Sequence, residues 1–117
     1  MIIRIITGFL LLAGSQVIAQ NNSRISSNYN DAVKLIGEHK YAEAEKILSD
    51  ILIEKPDYAE AISARGASRL MQLKRDEACE DFEKAAKLGW KAAEKSLKTY
   101  CGKDIPAERP NKNKQVK

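Results

Sequence analysis

Apolar residues recur at helical spacing through most of the chain, and no stretch alternates like a half-buried strand. The pattern predicts five helices after a polar N-terminal segment. They are expected at about residues 28–39, 41–54, 58–73, 75–88 and 91–100. The predicted fold class is therefore all-α.

Residues that start or stop helices stand at these expected ends. Pro56 ends the second helix, because the residue before a proline disfavours helical backbone angles. Asp57 and Glu60 are expected to open the third helix as a capping box. The other signals are a serine cap at Ser26 or Ser27 and terminating glycines at Gly89 and Gly102.

The first 19 residues have a different pattern. Arg4 precedes an apolar run, and small residues lead to Ala19 before Gln20. This order predicts a secretory signal peptide over 1–19 that is cleaved after Ala19. The alternative is a retained membrane anchor, but polar residues and glycines leave the run short of the ~20 apolar residues of a span. Cleavage leaves no stable anchor, and the location expected is exported, periplasmic or secreted.

Charge is unevenly distributed outside that segment. Residues 20–101 hold 14 basic and 14 acidic residues, so the formal net charge of +4 comes from Arg4 and the tail. A nucleic-acid-binding domain needs a basic face on its folded part, so no nucleic-acid partner is predicted. Residues 20–27 are polar and are expected to form a flexible lead-in. Residues 102–117 are interpreted as a disordered basic tail rather than as a contact for anionic lipid or an acidic partner.

A faint internal repeat has a period of 34 residues, the length of a helix–turn–helix unit. Small residues and large apolar residues recur in the same order. The pairs are Ala32 with Gly66, Ala44 with Ala78, Leu48 with Phe82 and Ile51 with Ala85.

These residues resemble the tetratricopeptide repeat (TPR), and Lys84–Gly89 with Ala92 is also similar to Sel1-like repeats. Tyr41 and Pro56 add further marker positions to the first unit, whereas Asp31, Arg69 and Trp90 depart from the pattern. The resemblance covers about residues 28–90. It implies a short α–α solenoid, spanning 28–101, of two helix hairpins plus a C-terminal capping helix.

In that family, ligands lie in a concave groove lined by the first helix of each unit. Carried over by position, the groove is expected to be mostly apolar, which favours an apolar or amphipathic peptide or helix as partner. The alternative is that this face packs against a second copy or the lead-in. The residues expected to line it are Tyr29, Val33, Ile36, Ser63, Ala67, Leu70, Met71 and Leu97.

The only two cysteines stand near the start of the fourth helix and at the end of the fifth. Because those helices should run antiparallel, Cys79 and Cys101 are expected to meet. A disulfide is favoured in an exported protein, and two free thiols are the alternative. Arg65 and Asp81 are expected to pair across the second hairpin.

No catalytic, metal or cofactor site is predicted. His39 is the only histidine, and it stands far along the chain from Cys79 without a third partner. The function expected is a non-enzymatic interaction module, an adaptor or assembly factor for a protein or peptide partner. The alternative is a self-associating structural component of the cell envelope, a homo-oligomer.

Overall fold

The computed structural model describes residues 2–104, with side chains from residue 17 onward. Over these residues the chain is all-α, with five helices and no strand. The helices are α1 (Ile2–Gly37), α2 (Tyr41–Glu54), α3 (Ala59–Met71), α4 (Arg75–Lys87) and α5 (Lys91–Cys101). Each packs against the next one along the chain, and α1 also contacts α3. Most of the basic tail, residues 105–117, lies outside the described residues.

Helix α1 is much longer than predicted, since it begins at Ile2 rather than near Asn28. The lead-in at 20–27 is therefore helical, and the predicted serine cap is wrong. No glycine or proline stands between residues 15 and 36 to stop the helix. Arg24 anchors this stretch by donating twice to Glu54, at 2.7 and 2.6 Å, and Ile25 packs against the core.

The predicted signal peptide overlaps the first half of α1, and its cleavage stays a prediction. Residues 17–24 are all exposed, so the packed part of the molecule begins at Ile25. Among the described residues, no helix is both long enough and apolar enough to cross a membrane.

The predicted ends of the other helices agree with the structure to within one or two residues. Gly89 (φ +91°) and Gly102 (φ +62°) adopt the left-handed conformation that ends α4 and α5. The capping box is wrong, however, because α3 has Tyr58 at its N-cap and no side chain bonds there.

The turns inside the two hairpins have the same backbone geometry. His39 and Leu73, which are 34 residues apart, both have positive φ, at 62° and 65°. In each turn the next N–H, of Lys40 or Lys74, donates to the carbonyl five residues earlier, at 2.8 and 2.9 Å. This is the helix-terminating Schellman arrangement, formed here without glycine. The 34-residue period therefore appears in the backbone as well as in the sequence.

The core lies where helices cross at small residues, as predicted. Ala32, Ala44, Ala78 and Ala85 are fully buried, and Phe82 is 2% exposed. Gly66 in α3 has the closest approach: a Cβ there would lie 2.9 Å from Cε1 of Phe82. That distance is too short for a methyl group, so α3 and α4 require a glycine at this crossing.

Candidate functional site

The surface shared by α1 and α3 is the candidate binding site. The two helices are in direct contact, although α2 separates them in the chain. The ring of Tyr29 on α1 lies 5.3 Å from the ring of Tyr58, which caps α3, in a tilted arrangement. This pair joins the two helices at one end of the shared surface.

The structure separates the predicted groove residues into three groups by exposure. Val33 and Met71 present apolar surface to solvent, being 46% and 58% exposed. A second group is half-buried against the core and offers only the edges of its side chains. It consists of Tyr29, Ile36, Ala67 and Leu70.

The third group does not line an accessible surface. Leu97 is fully buried, and Ser63 is 9% exposed. The expectation for Leu97 fails because α5 has one short apolar stripe, Ala93 and Leu97, and that stripe must face α4 to close the core. The accessible part of the candidate site is therefore limited to α1 and α3.

The end of this surface formed by Tyr29 and Tyr58 also carries polar groups. Burial, together with the nearby charge of Glu60, raises the pKa of both Tyr29 and Tyr58. A phenol is neutral at physiological pH even at its ordinary pKa, and the upward shift widens that margin, so both side chains keep a hydroxyl that can donate a hydrogen bond. Lys55 lies over the Tyr58 ring, with Nζ 4.7 Å from the centroid.

Helices α2, α3 and α4 are joined by a cluster of paired charges. The predicted Arg65–Asp81 pair is present: Arg65 donates from Nε and Nη2 to the two oxygens of Asp81, at 3.0 and 2.8 Å. Arg69 donates to the same carboxylate at 2.9 Å and to Glu45 on α2 at 2.9 Å. Arg69, which departs from the resembled pattern, thus connects the first hairpin to the second.

Glu45 accepts hydrogen bonds from three side chains of the second hairpin. Burial alone would raise its pKa, but hydrogen bonds from Arg69, Lys74 and Gln72 outweigh burial and lower the pKa to about 2. The donors lie 2.7 to 3.0 Å from its oxygens. Glu45 therefore remains ionised in the folded protein far below the pH at which it would titrate in the unfolded chain.

We expect this pKa difference to make stability depend on pH. Because the folded pKa is lower than the ordinary 4.5, the contribution of Glu45 is complete above pH 4.5 and is lost as pH falls towards 2. Glu45→Gln should lower the free energy of unfolding at pH 7 by about 1–2 kcal/mol, allowing for solvent screening, and flatten its slope between these pH values. Urea titrations at pH 7, 4 and 3 measure both effects.

The matched control is Glu43→Gln, which removes an exposed carboxyl from the same helix. It should leave the slope of the parent protein almost unchanged. Equal slopes for the two variants would show that Glu45 does not carry the effect.

The two cysteines form the predicted disulfide, with their Cα atoms 5.9 Å apart. Cys79 therefore has no thiol with which to act as a nucleophile. His39, the other half of the one conceivable catalytic pair, shares a 2.7 Å hydrogen bond with the hydroxyl of Tyr41 in the first turn. Within the described residues, no group of three or more His, Cys, Asp or Glu side chains converges on a possible metal position.

Two apolar side chains that the sequence did not single out are among the most exposed. Leu73, in the turn after α3, is 91% exposed, and Ile53 on α2 is 79% exposed. Helical spacing could have identified Ile53, which follows the buried pair Ile51 and Leu52 and therefore points away from the core. Leu73 was predicted to be the last residue of the third helix, but α3 ends at Met71 and Leu73 lies in the turn, where helical spacing does not indicate exposure.

The chain was compared with protein-family models, with curated proteins and with solved structures. None of the three comparisons finds a match.

Proposed function

We propose that this chain is an exported, non-enzymatic interaction module of the TPR-like kind, an α–α solenoid of two hairpins and a cap. It binds an apolar or amphipathic helical segment on the surface shared by α1 and α3. The observation that carries the proposal is the exposed apolar surface of Val33 and Met71 on these two helices. The recurrence of one turn geometry after 34 residues supports the repeat architecture.

Export is supported by the disulfide, because disulfides persist mainly in oxidising compartments. The predicted signal peptide is consistent with that location. The partner would contribute apolar side chains at the i, i+3, i+4 and i+7 spacing of a helix, which is how amphipathic segments occupy grooves between helices.

Self-association is the second candidate. Leu73 and Met71 are both exposed and close together in the chain, so two copies could bury them against each other. Analytical ultracentrifugation distinguishes the candidates. A monomer that binds peptide supports the module, whereas a dimer that dissociates when Met71 is changed supports self-association.

We expect Val33→Glu/Met71→Glu to weaken peptide binding about tenfold or more, because charges would replace the two exposed apolar contacts. The probe is a labelled amphipathic helical peptide of about 18 residues, with a scrambled peptide of equal composition as reference. Fluorescence anisotropy measures the affinity. Both changed positions are at least 46% exposed, so the fold should survive.

The matched control is Ile53→Glu/Leu88→Glu, which adds the same charges at exposed apolar positions on α2 and after α4. It should bind the peptide as the parent does. The proposal fails if the two double variants bind equally, or if the parent protein does not distinguish the helical peptide from the scrambled one.

A further inference from the structure

The outer face of α5 carries lysines and small residues. Lys91, Lys95 and Lys98 follow one another at i, i+4 and i+7, a spacing that places them on one side of a helix. The opposite side carries Ala93 and Leu97, which are fully buried against α4. All three lysines are exposed, and the side chain of Lys91 is 85% exposed.

These charges are weakly neutralised. Lys91 lies 3.8 Å from Glu94, whose side chain is only 14% exposed. None of the ion pairs found within residues 17–104 involves Lys95 or Lys98. Lys103 borders the same shallow depression as these two lysines, which Glu94 and Asp104 also line. On its other side Lys103 lines a second depression with Asp76, Glu80 and Glu83 of α4, so the unpaired positive charge is that of Lys95 and Lys98.

The sequence concentrates positive charge at this end of the chain. Residues 91–117 contain eight basic and three acidic residues, a net charge of +5. Residues 20–90 contain eleven basic and thirteen acidic residues, a net charge of −2. The net charge of residues 20–101 is zero, but the charge is unevenly distributed, with the excess of basic residues in the sequence of the terminal helix and the tail.

The neighbourhood of this face favours lipid over nucleic acid. The positive side chains of α5 are all lysine, whereas arginine is preferred for the planar recognition of nucleic acids. Trp90 lines a shallow depression with Gly89, Lys91 and Ala92, and Leu88 is 45% exposed beside it. An indole and an apolar side chain next to a row of lysines are the composition that suits a membrane–water interface.

We propose that the outer face of α5, which presents Lys91, Lys95 and Lys98, docks the protein on a membrane surface rich in anionic phospholipid. The attraction is electrostatic and peripheral, so it does not require a spanning helix. It leaves the surface of α1 and α3 for another partner, and it does not depend on the function proposed for that surface.

The test is co-sedimentation of the full chain with phosphatidylcholine vesicles and with vesicles that also contain phosphatidylglycerol. The apolar residues before Gln20 can bind both kinds, so the measured quantity is the ratio of anionic to neutral binding. Each lysine near an anionic surface is worth roughly fivefold in binding. Lys91→Gln/Lys95→Gln/Lys98→Gln should therefore lower the ratio by about 100-fold, and raising the salt concentration should abolish the preference.

The matched control is Lys34→Gln/Lys40→Gln/Lys46→Gln, which removes three exposed lysines from α1, α2 and the turn between them. It should keep the ratio of the parent protein, and circular dichroism should show equal helix content in both variants. An equal loss in the control would overturn the proposal, because net charge alone would then account for binding. A parent ratio of one, or retention by duplex DNA without retention by anionic vesicles, would overturn it as well.

Discussion

Phe82→Ala is expected to lower the free energy of unfolding by about 3–5 kcal/mol, the range for truncating a buried aromatic side chain. Phe82 is 2% exposed and fills the space between α3 and α4. A domain of this size has only about 5–15 kcal/mol in total, so the loss would remove much of its stability. Urea denaturation followed by circular dichroism measures the change. Phe82→Leu, which retains more of the volume, should lose less and still fold.

The close approach of Gly66 to Phe82 predicts that substitutions at the two positions are coupled. Gly66→Ala alone should destabilise the protein by about 1–3 kcal/mol, since its Cβ would lie 2.9 Å from Cε1 of Phe82. In the Phe82→Ala background the same change should be neutral or stabilising, because the methyl group enters the space vacated by the ring and alanine favours the helix by about 1 kcal/mol. A double-mutant cycle measures this coupling. Additive effects would show that the two residues do not constrain each other.

Cys79→Ser/Cys101→Ser is expected to lower the free energy of unfolding by about 3 kcal/mol. The bond closes a loop with a sequence separation of 22, and the cross-link restricts the unfolded chain accordingly. Because α5 packs mainly against α4, the loss should be largest at this end of the molecule. Urea denaturation gives the total, and hydrogen exchange of the α5 amides gives its location.

A reductant provides the control for the cysteine variant. It should destabilise the parent protein by a similar amount and leave the double serine variant unchanged. A shift in stability below about 0.5 kcal/mol in both experiments would mean that helix packing alone holds α5 in place.

Local patterns in the sequence were sufficient to predict the positions of most of the helices. The spacing of Ala44, Leu48 and Ile51 placed α2, and Pro56 and Gly89 ended their helices where predicted, because these signals act over a few residues. The same reasoning placed the start of α1 wrongly. The polar residues at 20–27 look like a lead-in when read locally, but they remain helical in a stretch without glycine or proline, where Ile25 packs against the core and Arg24 pairs with Glu54.

Local patterns could not predict the whole polar cluster or the accessible part of the candidate site, because both depend on how the helices pack against one another. Arg65 and Asp81 could be paired from the repeat, but Arg69 was only noted as a departure, because its partner Glu45 is 24 residues away on another helix. Leu97 was expected to reach the groove from the capping helix. It is buried because a terminal helix has no following unit to pack against and turns its one apolar stripe inward.

The charge cluster of Glu45, Arg69 and Asp81 affects how cooperatively the protein unfolds. A row of helix hairpins can lose its units one at a time, because each contacts only its neighbours. Here Arg69 on α3 pairs with Glu45 of the first hairpin as well as with Asp81 of its own, so separating the two hairpins breaks an ion pair that is largely shielded from water. Release of α5 is opposed in turn by a covalent bond. Unfolding is therefore expected to be cooperative, with the hairpins melting together rather than fraying in sequence.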